Sequence, residues 1–277
     1  MAKTSKGKQN ASAPSTKQFA ESLFKIGSRF SIGKEFDDFL TMSIACCSIN
    51  PVTKLSNYEQ EYLDTIAHYK DSELRHEFPI AFAHLIMEME SRLNDSLDND
   101  VLGDFFEQHL SNGRNGQFFT PFPVCQMMAS MTLGETAIDP ASENHLPLRI
   151  LDPCCGSGRM LVASHQLNQS PHEYYGIDID WTCVKMTAIN LFLNGIFNSE
   201  VMCADALRPD DFVISYRISL LPFGIFKITQ KENSTLWHLH RNSFTKPEKA
   251  KASDLISLDA TPFHERPKDN TTQLGLF

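Results

Sequence analysis

One stretch constrains this chain more than any other: Leu151-Asp152-Pro153-Cys154-Cys155-Gly156-Ser157-Gly158. A strand-like run, Leu148–Asp152, leads into it, and a helical pattern opens at Gly158. Strand, glycine turn and helix in that order form the phosphate- or nucleotide-side corner of a βα unit. Glycines let the backbone approach a ligand closely, and the first helical turn offers unpaired N–H groups. A Gly-x-Gly alone fits a tight turn in any α/β protein. The Asp-Pro before it and its placement between strand and helix narrow the reading.

The texture around it repeats. Glu173–Asp178 is strand-like, Trp181–Asn194 is helical with Gly195 placed to end it, and Glu200–Cys203 is a third strand. Alternation at this spacing predicts βαβ units and a parallel, doubly wound sheet. In Tyr175-Gly176-Ile177-Asp178-Ile179-Asp180, Asp178 stands where a nucleotide-binding βαβ unit keeps an acid for ribose hydroxyls. Asp180 is placed to cap the following helix. Cys203-Ala204-Asp205-Ala206-Leu207 closes the third strand; it is a simple turn or an edge that recognises an adenine amino group.

Before the sheet the pattern is helical. Stripes at three- and four-residue spacing run through Phe36, Phe39, Leu40, Ile44 and Cys47, through Tyr58, Tyr62, Leu63, Ile66 and Tyr69, and through Phe78, Phe82, Leu85, Ile86, Met89 and Leu93. Leu102, Phe105, Phe106 and Leu110 predict one more short helix. Four segments follow: a disordered tail over 1–17, a helical N-terminal domain over 18–112, the α/β domain over 113–244 and a flexible tail over 245–277. Beyond Pro222 regular pattern fades.

Seven cysteines without a CxxC pair fit reduced thiols in the cytoplasm better than disulfides or zinc. His238 and His240, a strand-like pair two residues apart, have no ligand cluster beside them, so no metal is expected. No apolar run is long enough to span a bilayer, and no secretory leader is expected. The net charge of −9 argues against tight, autonomous DNA binding.

Gly116-Gln117-Phe118-Phe119-Thr120-Pro121, Asp152–Gly158, Gly176-Ile177-Asp178-Ile179-Asp180 and Ala204-Asp205-Ala206, in this order, resemble four successive motifs of the N6-adenine DNA methylases. The modification subunits of type I restriction-modification systems are most similar. Asp100-Val101-Leu102-Gly103-Asp104-Phe105-Phe106 also resembles that family, and the likeness covers roughly residues 35–210. It implies a Rossmann-like methyltransferase sheet with S-adenosylmethionine as cofactor and DNA as substrate, alongside a specificity subunit. Thr120 and Pro121 would hold the methionine end. Asp152, Pro153, Cys154, Gly156 and Gly158 would wrap the cofactor, with Asp178 at the ribose, Asp205 at the adenine N6 and Ile179 a further cofactor-binding residue.

The family's catalytic motif, a polar residue followed by Pro-Pro and an aromatic, is missing. The nearest stretch is Ser219-Leu220-Leu221-Pro222-Phe223-Gly224, which keeps Pro222 and Phe223 but has Leu220 where an acceptor is needed. The sheet is expected to be truncated in its C-terminal half. Two readings stay open: an adenine-N6 methyltransferase whose site is unusual or completed by a partner, and a silent cofactor-binding scaffold or regulator in DNA metabolism. The chain ends in Gln273-Leu274-Gly275-Leu276-Phe277, which resembles a docking motif for the bacterial sliding clamp through Gln273, Leu274, Leu276 and Phe277; a short apolar end folded onto its own domain is the alternative.

Overall fold

Three strands pair in parallel where the sequence alternates between strand and helix. They are β1 (Arg149–Asp152), β2 (Glu173–Asp178) and β3 (Ser199–Cys203), with Leu151 opposite Tyr175 and Gly176 opposite Val201. The structure is a computed structural model and describes residues 17–27, 32–95, 98–111, 118–133, 147–167, 171–208, 210–244 and 274–276. Helices α7 (Arg159–Leu167) and α8 (Trp181–Leu193) make the crossovers. Asp180 caps α8 by accepting the Thr182 N–H at 2.8 Å, and Gly195, at φ +70°, lets the chain leave it.

The sheet is mixed. β4 (Ile214–Leu220) runs antiparallel to β3, and β5 (Phe223–Ile228) folds back antiparallel on β4. The full strand order is β5-β4-β3-β2-β1-β6, where β6 is Leu274–Leu276. Regular structure therefore continues past Pro222. After β5 come a 3-10 turn at Lys231–Asn233 and α9 (Thr235–Phe244), which buries Leu236, Trp237 and His240. These short apolar segments carry too little periodicity to be legible alone.

β6 (Leu274–Leu276) lies parallel to the outer edge of β1, with Leu274 opposite Arg149 and Leu276 opposite Leu151. An open strand edge offers unpaired N–H and C=O groups, which a short returning segment satisfies. The other residues of the expected tails, at 1–16, 245–273 and 277, lie outside the described residues, as do Gly116 and Gln117.

The N-terminal helices are α1 (Lys17–Ile26), α2 (Ile32–Cys46), α3 (Glu59–Ala67), α4 (Ser72–Asp95) and α5 (Val101–His109), followed by α6 (Phe122–Leu133). Two expected stripes are corrected. Leu63, Ile86 and Leu93 are exposed, while Glu88 and Arg92 are buried on α4. Those two polar residues find partners: Glu88 accepts the Phe19 N–H at 3.1 Å, and Arg92 pairs with Asp104 at 2.6 Å. One cluster of buried apolar residues runs from Phe19 through α2, α4 and α5 into α8 and the sheet. It crosses the expected boundary at residue 112. α8 is buried from Cys183 to Leu191, as a helix between a sheet and a helical layer must be.

Candidate cofactor site

The candidate residues converge where β1, β2 and β3 end, the place where open α/β sheets receive ligands. Asp152 closes β1 and accepts the Cys154 N–H at 3.1 Å, which folds the chain into the loop. The Cys155 N–H reaches the Ile177 carbonyl at 2.9 Å and pins the loop to β2. Gly156 has φ +55°, and a Cβ there would stand 2.8 Å from the Phe119 ring. Both the conformation and the close approach require glycine.

Asp178, at the end of β2, uses both oxygens. One accepts the Gly156 N–H at 2.8 Å and the other the Asp180 N–H at 2.9 Å. Capping of α8 thus falls to Asp180, and Asp178 holds the glycine loop. Asp205 accepts the Leu207 N–H at 3.0 Å and pairs with Arg208 at 3.2 Å, so it shapes its own turn as well as the cleft wall.

Together these segments enclose a cleft of about 490 Å³, lined by Phe118, Phe119, Pro153, Cys154, Gly156, Asp178, Ile179 and Asp205 among others. That lies within the ~300–1,000 Å³ usual for small-molecule sites. A neighbouring recess of about 200 Å³ shares Phe119 and Gly156 and adds Thr120, Asp152 and Arg159. Gly158, at φ +89°, packs against Thr187 as α7 begins. The Pro121 carbonyl accepts the Cys125 N–H at 3.1 Å and so opens α6.

Burial disfavours the ionised form of two acids in the cleft and its recess. Burial, with Asp178 nearby, pushes the Asp152 carboxyl up to about 6. Burial also raises Asp178. The Cys154 thiol is raised by burial and then by Asp152, which opposes a thiolate nucleophile there.

Pro222 and Phe223 are not brought to this cleft. β4 runs against β3, so that Ile214 faces Cys203 and Ile218 faces Ser199. The β4–β5 hairpin tip therefore lies beyond the opposite end of β3. Phe223 packs there against Phe192 and Phe197, with ring centroids 5.0 and 5.7 Å away. The expected strand-like pair His238 and His240 sits instead on α9, and the two side chains diverge to the Glu232 and Ala206 carbonyls. Among the described residues no group of three or more His, Cys, Asp or Glu side chains could hold a metal. Nor is any described helix long and apolar enough to cross a membrane.

Sequence reasoning missed a charged cluster behind the loop. Arg159, the first residue of α7, is buried against Asp100, Asp104 and Glu107. Burial alone would lower its pKa, yet Asp100 and Asp104 raise it, so the guanidinium stays charged. The available signal was the spacing of Asp100, Asp104 and Glu107, which puts three acids on one side of α5.

The profile of the N-6 DNA Methylase family matches residues 97–254, a span that holds the loop, Asp178 and Asp205. The chain belongs to the N-6 DNA methylase family. Within that family, it is 32% identical over 118 residues to the Type II methyltransferase M.MamI of Microbacterium ammoniaphilum, covering 37% of this chain and 32% of that protein. Over 109 residues it is 30% identical to the Type I restriction enzyme HindI methylase subunit of Haemophilus influenzae, covering 35% of this chain and 22% of the subunit. The type I restriction-modification system methyltransferase subunit from Streptococcus thermophilus aligns over 70% of this chain and 58% of its own, at TM-score 0.35 and 15% identity. The matched stretch spans about a third or less of either curated methylase.

Proposed function

We propose that this N-6 DNA methylase family member binds S-adenosylmethionine in the cleft at the ends of β1, β2 and β3. We further propose that it does not transfer methyl groups by itself. The chemistry of the lining supports the first part. S-adenosylmethionine carries cationic sulfonium and ammonium groups and a ribose diol. The cleft and its recess offer the buried acid Asp152, the acid Asp178 and the amides of a glycine loop. Asp152 and Thr120 would take the methionine end, Asp178 the ribose, and Ile179 and Asp205 the adenine. When bound, the cofactor would supply an electrophilic methyl group.

The observation that carries the second part is the placement of Pro222 and Phe223 at the far end of β3. The sequence contains no Pro-Pro pair, so the cleft has no polar-Pro-Pro-aromatic stretch to hold an exocyclic amine and stack a flipped base. A partner chain would have to provide that wall, along with the basic surface that the net charge of −9 does not supply. DNA, a specificity subunit and a sliding clamp met through Gln273–Phe277 are the partners of this reading. Leu274–Leu276 are paired with β1, so a clamp would compete with that strand. Calorimetric titration with S-adenosylmethionine tests the cofactor part; absence of heat at millimolar ligand would end it.

A further inference from the structure

Phe119 lines both the cleft and its recess and makes four contacts that hold it. Its ring stacks on Phe106 at 5.6 Å with a 25° interplanar angle. The Arg159 guanidinium lies over the same ring at 5.7 Å. The Phe119 backbone N–H donates to Glu107 Oε1 at 2.8 Å. Gly156 approaches so closely that a Cβ there would stand 2.8 Å from the ring. Two of these four contacts, Phe106 and Glu107, come from α5.

The same helix holds the other wall. Glu107 Oε2 accepts from Arg159 at 3.1 Å, Asp104 accepts at 2.5 Å, and Asp100 accepts from Arg159 Nε at 2.6 Å. Asp100 also caps α5 by accepting the Gly103 N–H and receives the Ser157 hydroxyl of the loop. α5 fits this closely because residue 103 is glycine: a Cβ would stand 2.6 Å from Ser157 Oγ. The opposite side of α5 is fixed in the helical layer, where the Phe105 ring lies 5.3 Å from Phe19 and 5.1 Å from Phe36. All three nitrogens of Arg159 are thereby engaged by acids of α5, which leaves the residue a brace rather than a ligand for a carboxylate.

We propose that α5 is a strut that sets the width of the cofactor cleft, with Glu107 as the positioning residue. Its carboxylate ties the Phe119 backbone to Arg159 at the head of α7, so both walls keep their distance before any ligand arrives. The inference deepens the cofactor reading above and rests on it. A ligand-binding wall held in place beforehand binds more tightly, because ordering it costs nothing at the binding step.

The test uses the full chain, Glu107→Ala and Glu107→Gln. Hydrogen exchange of the Phe119 amide is followed without ligand, and S-adenosylmethionine affinity is measured by calorimetry. In Glu107→Ala the amide should exchange about tenfold faster and affinity should fall about tenfold, as for one lost charge-assisted hydrogen bond. Glu107→Gln keeps an acceptor for the amide and should restore the exchange protection and part of the affinity, which loss of general stability would not do. Should Glu107→Ala fail to fold, Arg159→Lys carries the test, since an ammonium cannot span three acids at once; wild-type affinity in that variant overturns the strut. Unchanged exchange in Glu107→Ala, with normal binding by the wild type, also overturns it. A wild type that binds no S-adenosylmethionine refutes the cofactor reading and the cleft-width role together, whatever the exchange shows.

Discussion

Raising the pH from about 5 to about 7.5 should tighten S-adenosylmethionine binding roughly tenfold, and the change should run through Asp152. Burial and then Asp178 lift this carboxyl from 3.8 to about 6 in the free protein. Near pH 5 it is therefore mostly protonated, about ten to one. A cation bound beside it favours the carboxylate and draws its pKa back toward the ordinary range. Full return from about 6 to 3.8 corresponds to about 3 kcal/mol. The ligand takes the ionised form, so binding releases a proton. Affinity then rises with pH until the free carboxyl is ionised, and it is flat above pH 7. In the free protein the sign is reversed. The cost of an ionised Asp152 is fully present above pH 6 and is relieved as pH falls toward 3.8. Calorimetry at pH 6 in two buffers of different ionisation heat should show about half a proton released per site. Asp152→Asn should abolish both the pH slope and the proton release, while raising the melting temperature of the free protein at neutral pH. A flat affinity profile for the wild type between pH 5 and 7.5 would refute the placement of a cation at Asp152.

Three further outcomes follow from the same geometry. Asp178→Ala removes the acceptor of the Gly156 N–H and should weaken S-adenosylmethionine binding by about 1–3 kcal/mol; unchanged calorimetric affinity would mean that another acid serves the ribose. The purified chain alone should incorporate no tritiated methyl into duplex or single-stranded DNA, and turnover that disappears in Asp205→Ala would restore the enzyme reading. A peptide of residues 268–277 should bind purified sliding clamp more tightly than the full chain does, because Leu274–Leu276 are paired with β1 in the chain. No peptide binding at hundreds of micromolar, or none lost on replacing Leu276 and Phe277 by alanine, removes that partner.

What was legible in the sequence was local. Asp180 and Gly195 mark the ends of α8 because caps are read within a few residues. The glycine loop is readable for the same reason: its strand, turn and helix are contiguous. Strand direction is not local. The run Ile214–Leu220 is apolar enough to be a strand, but nothing within it says whether it runs with β3 or against it. That one reversal moves Pro222 and Phe223 to the far end of the sheet. The stripes on α4 failed differently. Counting apolar residues put Ile86 and Leu93 inside, whereas the core takes Glu88 and Arg92 because each has a partner in another helix. A buried polar group is acceptable only with a partner, and these partners lie in other helices: the Phe19 N–H is 69 residues from Glu88 and Asp104 is 12 from Arg92. Asp100 and Arg159 are 59 residues apart, so neither residue alone predicts the pair. The candidate residues that line the cleft can thus be read from motifs, while what holds them in shape depends on contacts between elements. Arg159 shows the division most clearly: nothing next to it in the sequence announces the three acids of α5 that the fold brings to it at the end of the glycine loop.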